Sequence, residues 1–110
     1  MEIAVSDVGE VKVVRIEGQL DTQSSPDAQA QLTQLIDQGA TKLVVNFEKL
    51  DYISSVGLRI LLAAAKQLKG NSGELRICSL NKVVQKDFVI SGFTTILTVT
   101  NTEPEALDGF

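Results

Sequence analysis

Two serines stand side by side at Ser54-Ser55, between an apolar run that ends at Phe47 and another that begins near Val56. A strand-to-helix turn is expected there. The first backbone N–H groups of a helix have no intrahelical acceptor. Such a turn can hold an anion, or present a serine that accepts a phosphate. The plainer role for the pair is a helix cap, worth about 1 kcal/mol. Capping and regulation are compatible. The stretch Leu50-Asp51-Tyr52-Ile53-Ser54-Ser55-Val56-Gly57-Leu58-Arg59 carries most of the functional signal. Asp51 suits a turn or a partner contact. Tyr52, the one tyrosine, suits an interface anchor or half-buried packing at a strand end. Leu58 reads as core, and Arg59 as a solvated charge or a polar contact.

Other chemistries find little support. The chain has no histidine and one cysteine, Cys78. Histidine is the commonest general base and a leading zinc ligand, so no metal or cofactor site is expected. Ser55 as a nucleophile would need a base, and Lys66 and Lys69 lie three turns along the same predicted helix. Neither a G-x-S-x-G elbow nor a glycine-rich phosphate loop is present, and no enzyme is expected. With 10 basic and 14 acidic residues the net charge is −4, and no basic run occurs. Nucleic acid is therefore not an expected ligand. A lone cysteine fits a reducing compartment. No signal peptide is evident, and no apolar run approaches the ~20 residues of a membrane span. A cytoplasmic location is expected.

The elements that must position Ser54-Ser55 follow from apolar spacing. Ile3–Val8 and Val11–Glu17 read as strands joined at Gly9-Glu10, an antiparallel hairpin. Val14 and Ile16 share one face of the second strand, and Val11 and Val13 the other. Gly18–Gln23 reads as a loop containing Asp21, which suits an Asx turn or a partner contact. Ser25-Pro26-Asp27 marks a helix start with Ser25 as cap, and Gly39 ends that helix. Thr41–Phe47 is a third strand. Val56–Lys69 is a helix with the stripe Leu58, Leu61, Leu62, Ala65 and Leu68. Glu74–Ser79 is a strand in which Cys78 packs inward. Asn81–Ser91 is a helix, Thr95–Thr100 a short edge strand, and Glu103–Leu107 a last helical turn. Helix-separated strands favour parallel pairing. The expectation is one α/β domain over 1–110, with a mixed four- to five-stranded sheet and helices packed against it.

This order and two short motifs resemble the STAS domain, the fold of bacterial anti-sigma factor antagonists. Glu17-Gly18-Gln19-Leu20-Asp21 looks like that family's Gly-x-Leu-Asp loop. Asp51-Tyr52-Ile53-Ser54-Ser55-Val56-Gly57-Leu58 looks like its Asp-Ser-(Ser/Thr)-Gly-Leu phosphorylation loop. The resemblance spans about 3–107. Anchored on Gly57, the family's Asp falls on Ser54, its middle Ser on Ser55 and its Ser/Thr on Val56, which has no hydroxyl. The family's usual phosphosite therefore does not transfer: Ser55, nearer Gly57 and the helix start, takes the phosphate in its place, or Ser54 does, or the loop binds a partner without that switch. It implies a binding module contacting its partner through Asp21 and residues 51–59. The partners implied are a serine-kinase anti-sigma factor and a serine phosphatase, in partner-switching control of transcription. A monomer or weak dimer is expected. The alternative is an unphosphorylated STAS scaffold subunit of another signalling or lipid-transport assembly.

Overall fold

The computed structural model describes residues 1–95 and 97–110. Strand β1 (Glu2–Val8) turns at Gly9-Glu10 into β2 (Val11–Leu20). Gly9 takes φ +60, and Glu10 is not among the positive-φ residues. A positive φ at the first central residue alone is the type II′ pattern, which matches the twist of the flanking strands. Helix α1 (Ser25–Asp37) leads to β3 (Lys42–Asn46), then β4 (Leu50–Ile53) and helix α2 (Ser55–Gly70). Strand β5 (Glu74–Cys78), helix α3 (Lys82–Ile90), β6 (Thr98–Thr100) and helix α4 (Glu103–Leu107) complete the chain. A short 3-10 turn over Phe93–Thr95 precedes β6.

The mixed sheet runs β1-β2-β3-β5-β6, with β4 paired to β2 beside that path. Among the described residues only β1–β2 is antiparallel; the other pairs are parallel. The expected strand faces hold. Val14, Ile16, Leu43, Val45, Phe47, Leu75 and Ile77 join the main core with Ala28, Leu32 and Ile36 of α1, Leu61 and Leu68 of α2, and Val84 and Phe88 of α3. Burying a side chain such as Leu61 or Leu68 contributes roughly 1.5–3 kcal/mol. A smaller core on the opposite face joins Val11, Val13, Val44 and Cys78 to Ala106 of α4.

A polar clamp fixes α4 over that second face. The Arg15 guanidinium donates to both carboxylate oxygens of Glu103, at 2.8 and 3.1 Å. Asn46 Nδ2 donates to the same carboxylate at 3.0 Å. Arg76 donates to the carbonyls of Ala106 and Asp108 and lies 4.0 Å from the centre of the Phe110 ring.

Four expectations change. The sheet has six strands, because Leu50–Ile53 is a strand and not part of a loop. It pairs with Gly18–Leu20, so β2 runs on to Leu20 instead of stopping at Glu17. Ser25 does not cap α1: Ser24 holds the N-cap position, and Ser25 is the first helical residue and fully buried. The edge strand is confined to Thr98–Thr100, and Ile96 of the expected span lies outside the described residues. Among the described residues no helix is long and apolar enough to cross a membrane.

Candidate functional site

The ends of β2 and β4 lie side by side, with Leu20 paired to Ile53. Each strand then opens a helix, so two helix starts come together at one edge of the domain. The backbone N–H of Gly18 donates to the Lys49 carbonyl, and that of Ser54 to the Leu20 carbonyl, both at 2.9 Å. These bonds bracket the short pairing and carry it one residue past Ile53. The register shifts between Gly18 and Gln19. That irregularity leaves Asp51 without a cross-strand partner and brings Tyr52 opposite Gln19. Asp51 thus occupies an exposed strand position, not a turn.

Ser54 is the N-cap of α2. Its Oγ accepts the Gly57 N–H at 3.1 Å, and its carbonyl accepts the Leu58 N–H at 3.0 Å. Ser55 is the first residue of the helix; it is exposed, and its hydroxyl has no partner among the described residues. No acidic side chain occupies the first turn of α2, so the positive end of its dipole is uncompensated there.

Gly57 sets how closely the helix meets the sheet. A Cβ at this position would lie 2.8 Å from the Leu20 carbonyl oxygen and 2.8 Å from Ile53 Cγ1. Only a hydrogen fits there. The loop rests on Ile53 and Leu58, both buried. The two side chains and Gly57 shape the surface from below. Tyr52, at 47% exposure, is the large apolar side chain presented outward, and Arg59 is also exposed. Val56 is half-buried.

Asp21 belongs to the other helix start. Its carboxylate accepts the backbone N–H groups of Gln23 and Ser24, each at 3.0 Å. Ser24 Oγ in turn accepts the Asp21 N–H at 2.9 Å and donates to the Gln19 carbonyl at 2.8 Å. The backbone bond from Ser24 is the main reason the Asp21 carboxyl is held below its ordinary value. This is the Asx-turn arrangement that the residue type suggests. Asp21 and Asp51 line one shallow depression together with Met1, Gly18, Gln19, Gln23 and Ser24.

The sequence did not single out Asn81. Its Oδ1 accepts the Val84 N–H at 2.8 Å and caps α3, while its Nδ2 donates to the Leu50 carbonyl at 2.8 Å. One side chain therefore ties α3 to β4 from beneath. An Asn ahead of an apolar helix is a recognisable cap signal, but its reach to Leu50 is not. Among the described residues no group of three or more His, Cys, Asp or Glu side chains could hold a metal ion.

The family model of the STAS domain matches residues 2–106. BtrV of Bordetella bronchiseptica, a candidate anti-sigma factor antagonist, is 34% identical over 110 residues, which is 100% of this chain and 95% of that one. The phosphorylated form of SpoIIAA, a Bacillus cell fate determinant, superposes with a TM-score of 0.75 at 28% identity, over 97% of either chain. A Thermotoga maritima structure shares the fold with a TM-score of 0.92 at 16% identity, over 96% of this chain and 92% of that one.

Proposed function

The chain belongs to the STAS domain family, and from that premise we propose an anti-sigma factor antagonist whose grip on its partner is controlled by a phosphate on Ser55. The partner is an anti-sigma factor. In this reading it is also the serine kinase that modifies the antagonist, and a serine phosphatase reverses the mark. The chain is then a substrate and a binding module, not a catalyst. The observation that carries the choice of residue is the contrast between the two hydroxyls. Ser54 Oγ is committed to the Gly57 N–H, whereas Ser55 is exposed and uncommitted. A kinase can reach Ser55 without undoing a cap.

A phosphate adds about −1.5 to −2 charge at neutral pH. The start of α2 can accommodate it, by roughly 0.3–1 kcal/mol for an exposed group. The fold therefore survives modification. The surface changes instead, because an exposed hydroxyl becomes a dianion on a chain that already carries a net charge of −4. A partner seated over Tyr52, Ser55, Val56 and Arg59 would have to desolvate a dianion, and binding is lost. Ile53, Gly57 and Leu58 support that surface from within.

The test begins with intact-mass measurement and peptide mapping of residues 43–66 on protein taken from its native cell. A phosphate is expected on Ser55. Capture of the anti-sigma factor should persist with Ser55→Ala and fall roughly tenfold or more with Ser55→Asp. An unmodified chain in every growth state, with Ser55→Asp binding as well as wild type, would sink the switch and leave a constitutive scaffold.

A further inference from the structure

The two ends of the sheet differ. At one end lies β6, only three residues long. At the other lies β1, seven residues long, with no partner on its outer edge among the described residues. The hairpin decides which backbone groups occupy that edge. In a two-residue loop the flanking residues, here Val8 and Val11, bond to each other across the turn. Bonding then alternates along an antiparallel ladder. Glu2, Ala4, Ser6 and Val8 therefore direct their N–H and C=O groups at β2. Ile3, Val5 and Asp7 direct theirs outward. The charged side chains of β1, Glu2 and Asp7, sit towards its two ends. Glu2–Val8 contains no Lys or Pro, and its register with β2 runs unbroken from Glu2↔Glu17 to Val8↔Val11. Val5 and Val8 are each 44% exposed.

We propose that β1 pairs antiparallel with β1 of a second copy of this chain, about a two-fold axis at Val5. The strand is self-complementary in that register. Val5 meets Val5, Ile3 meets Asp7, Glu2 meets Val8, and Ala4 meets Ser6. Neither acid faces an acid. The outward groups of Ile3, Val5 and Asp7 all find partners, about six hydrogen bonds in total. An axis between Ala4 and Val5 would set Glu2 against Asp7 and face outward groups with residues already bonded to β2. Asp7 is in addition ion-paired to Lys12 of its own chain. Each copy carries a net charge of −4, so the contact is opposed by long-range repulsion and strengthens with salt. The Ser54-Ser55 loop lies beyond the Glu2 end of β1, since Glu2 pairs with Glu17 and β2 continues to Leu20. The antiparallel pairing puts the two loops at opposite ends, and both stay open.

Sedimentation equilibrium of the full chain tests this, from micromolar protein to the highest soluble concentration. Wild type should pass from monomer to dimer, at lower concentration when salt is raised. Val5→Pro removes an N–H that the monomer does not use, and edge strands accept proline there. Val5→Lys sets two like charges together on the axis. Both variants should stay monomeric at every concentration with an unchanged circular dichroism spectrum. If Val5→Pro fails to fold, Val5→Lys decides. Under oxidation, Val5→Cys should form a covalent dimer, whereas Ala4→Cys and Ser6→Cys should not. A wild type that stays monomeric throughout would overturn the proposal, as would a dimer that survives Val5→Lys.

Discussion

The helix starts that follow β2 and β4 occupy equivalent places, one after Leu20 and the other after Ile53, yet their chemistry is opposite. The first is closed. The Asp21 carboxylate and Ser24 Oγ satisfy each other's backbone and that of Gln23 and Gln19. Behind them Ser25 is fully buried, and its Oγ has no partner among the described residues. The second is open. One hydroxyl, Ser54 Oγ, makes one capping bond, and the adjacent hydroxyl of Ser55 is left over. A strand end whose loop side chains bond one another and the backbone is suited to rigidity. One that leaves a hydroxyl beside an uncompensated helix dipole is suited to carrying a signal.

The sharpest way to break this contrast is to remove the close approach on which the open start depends. Gly57→Ala puts a methyl against the Leu20 carbonyl oxygen, and backbone cannot yield as a flexible side chain can. A loss of about 1–3 kcal/mol in urea unfolding is expected, together with weaker capture of the anti-sigma factor. Wild-type stability and binding would mean that the contact does not set the loop.

The next largest effect separates the two serines. Ser54→Ala removes the cap and should cost about 1 kcal/mol. Ser55→Ala should stay within about 0.5 kcal/mol of wild type, as for a surface change away from structural features. Equal losses in thermal or urea unfolding would erase the distinction between committed and free hydroxyls.

The smallest effect concerns the closed start. The Asp21 carboxyl is held low in the folded state, chiefly by the backbone bond from Ser24. A depressed folded value stabilises the fold above the ordinary aspartate range near about 3.9, and that contribution is lost as pH falls through the lower folded value. The amides of Gln23 and Ser24, followed by NMR, should therefore titrate with a midpoint below the ordinary one. A midpoint at or above it would show that the carboxylate is not engaged.

Much of this was legible from residue spacing. Alternation in β2 and β3 assigned both sheet faces, and Val84 and Phe88 marked the buried side of α3. The apolar stripe from Leu58 to Leu68 placed the start of α2 to within a residue. Strand β4 was hidden because its middle residues, Asp51 and Tyr52, are both exposed and break the alternation. Its pairing is also irregular and distant in sequence, with Gly18 supplying one end. The N-cap position of α1 falls on Ser24, one residue before the expected Ser25, and no hydroxyl caps that helix, because Ser24 Oγ is engaged with Asp21 and Gln19 instead. The deciding partner, Asp21, acts through loop geometry that spacing does not encode. The link from Asn81 to Leu50 spans 31 positions and was invisible for the same reason.

The clamp over the second face has a kinetic corollary. Cys78 lies in the small core with Ala106, fully buried, and burial pushes its thiol above the ordinary value. The thiolate is the form that reacts, so alkylation has to wait until α4 lifts away. Because the chain holds a single cysteine, its labelling rate counts those liftings without interference. The molecule carries its own clock for the breathing of its C-terminal helix, and cutting the Arg15–Glu103 link would make that clock run fast.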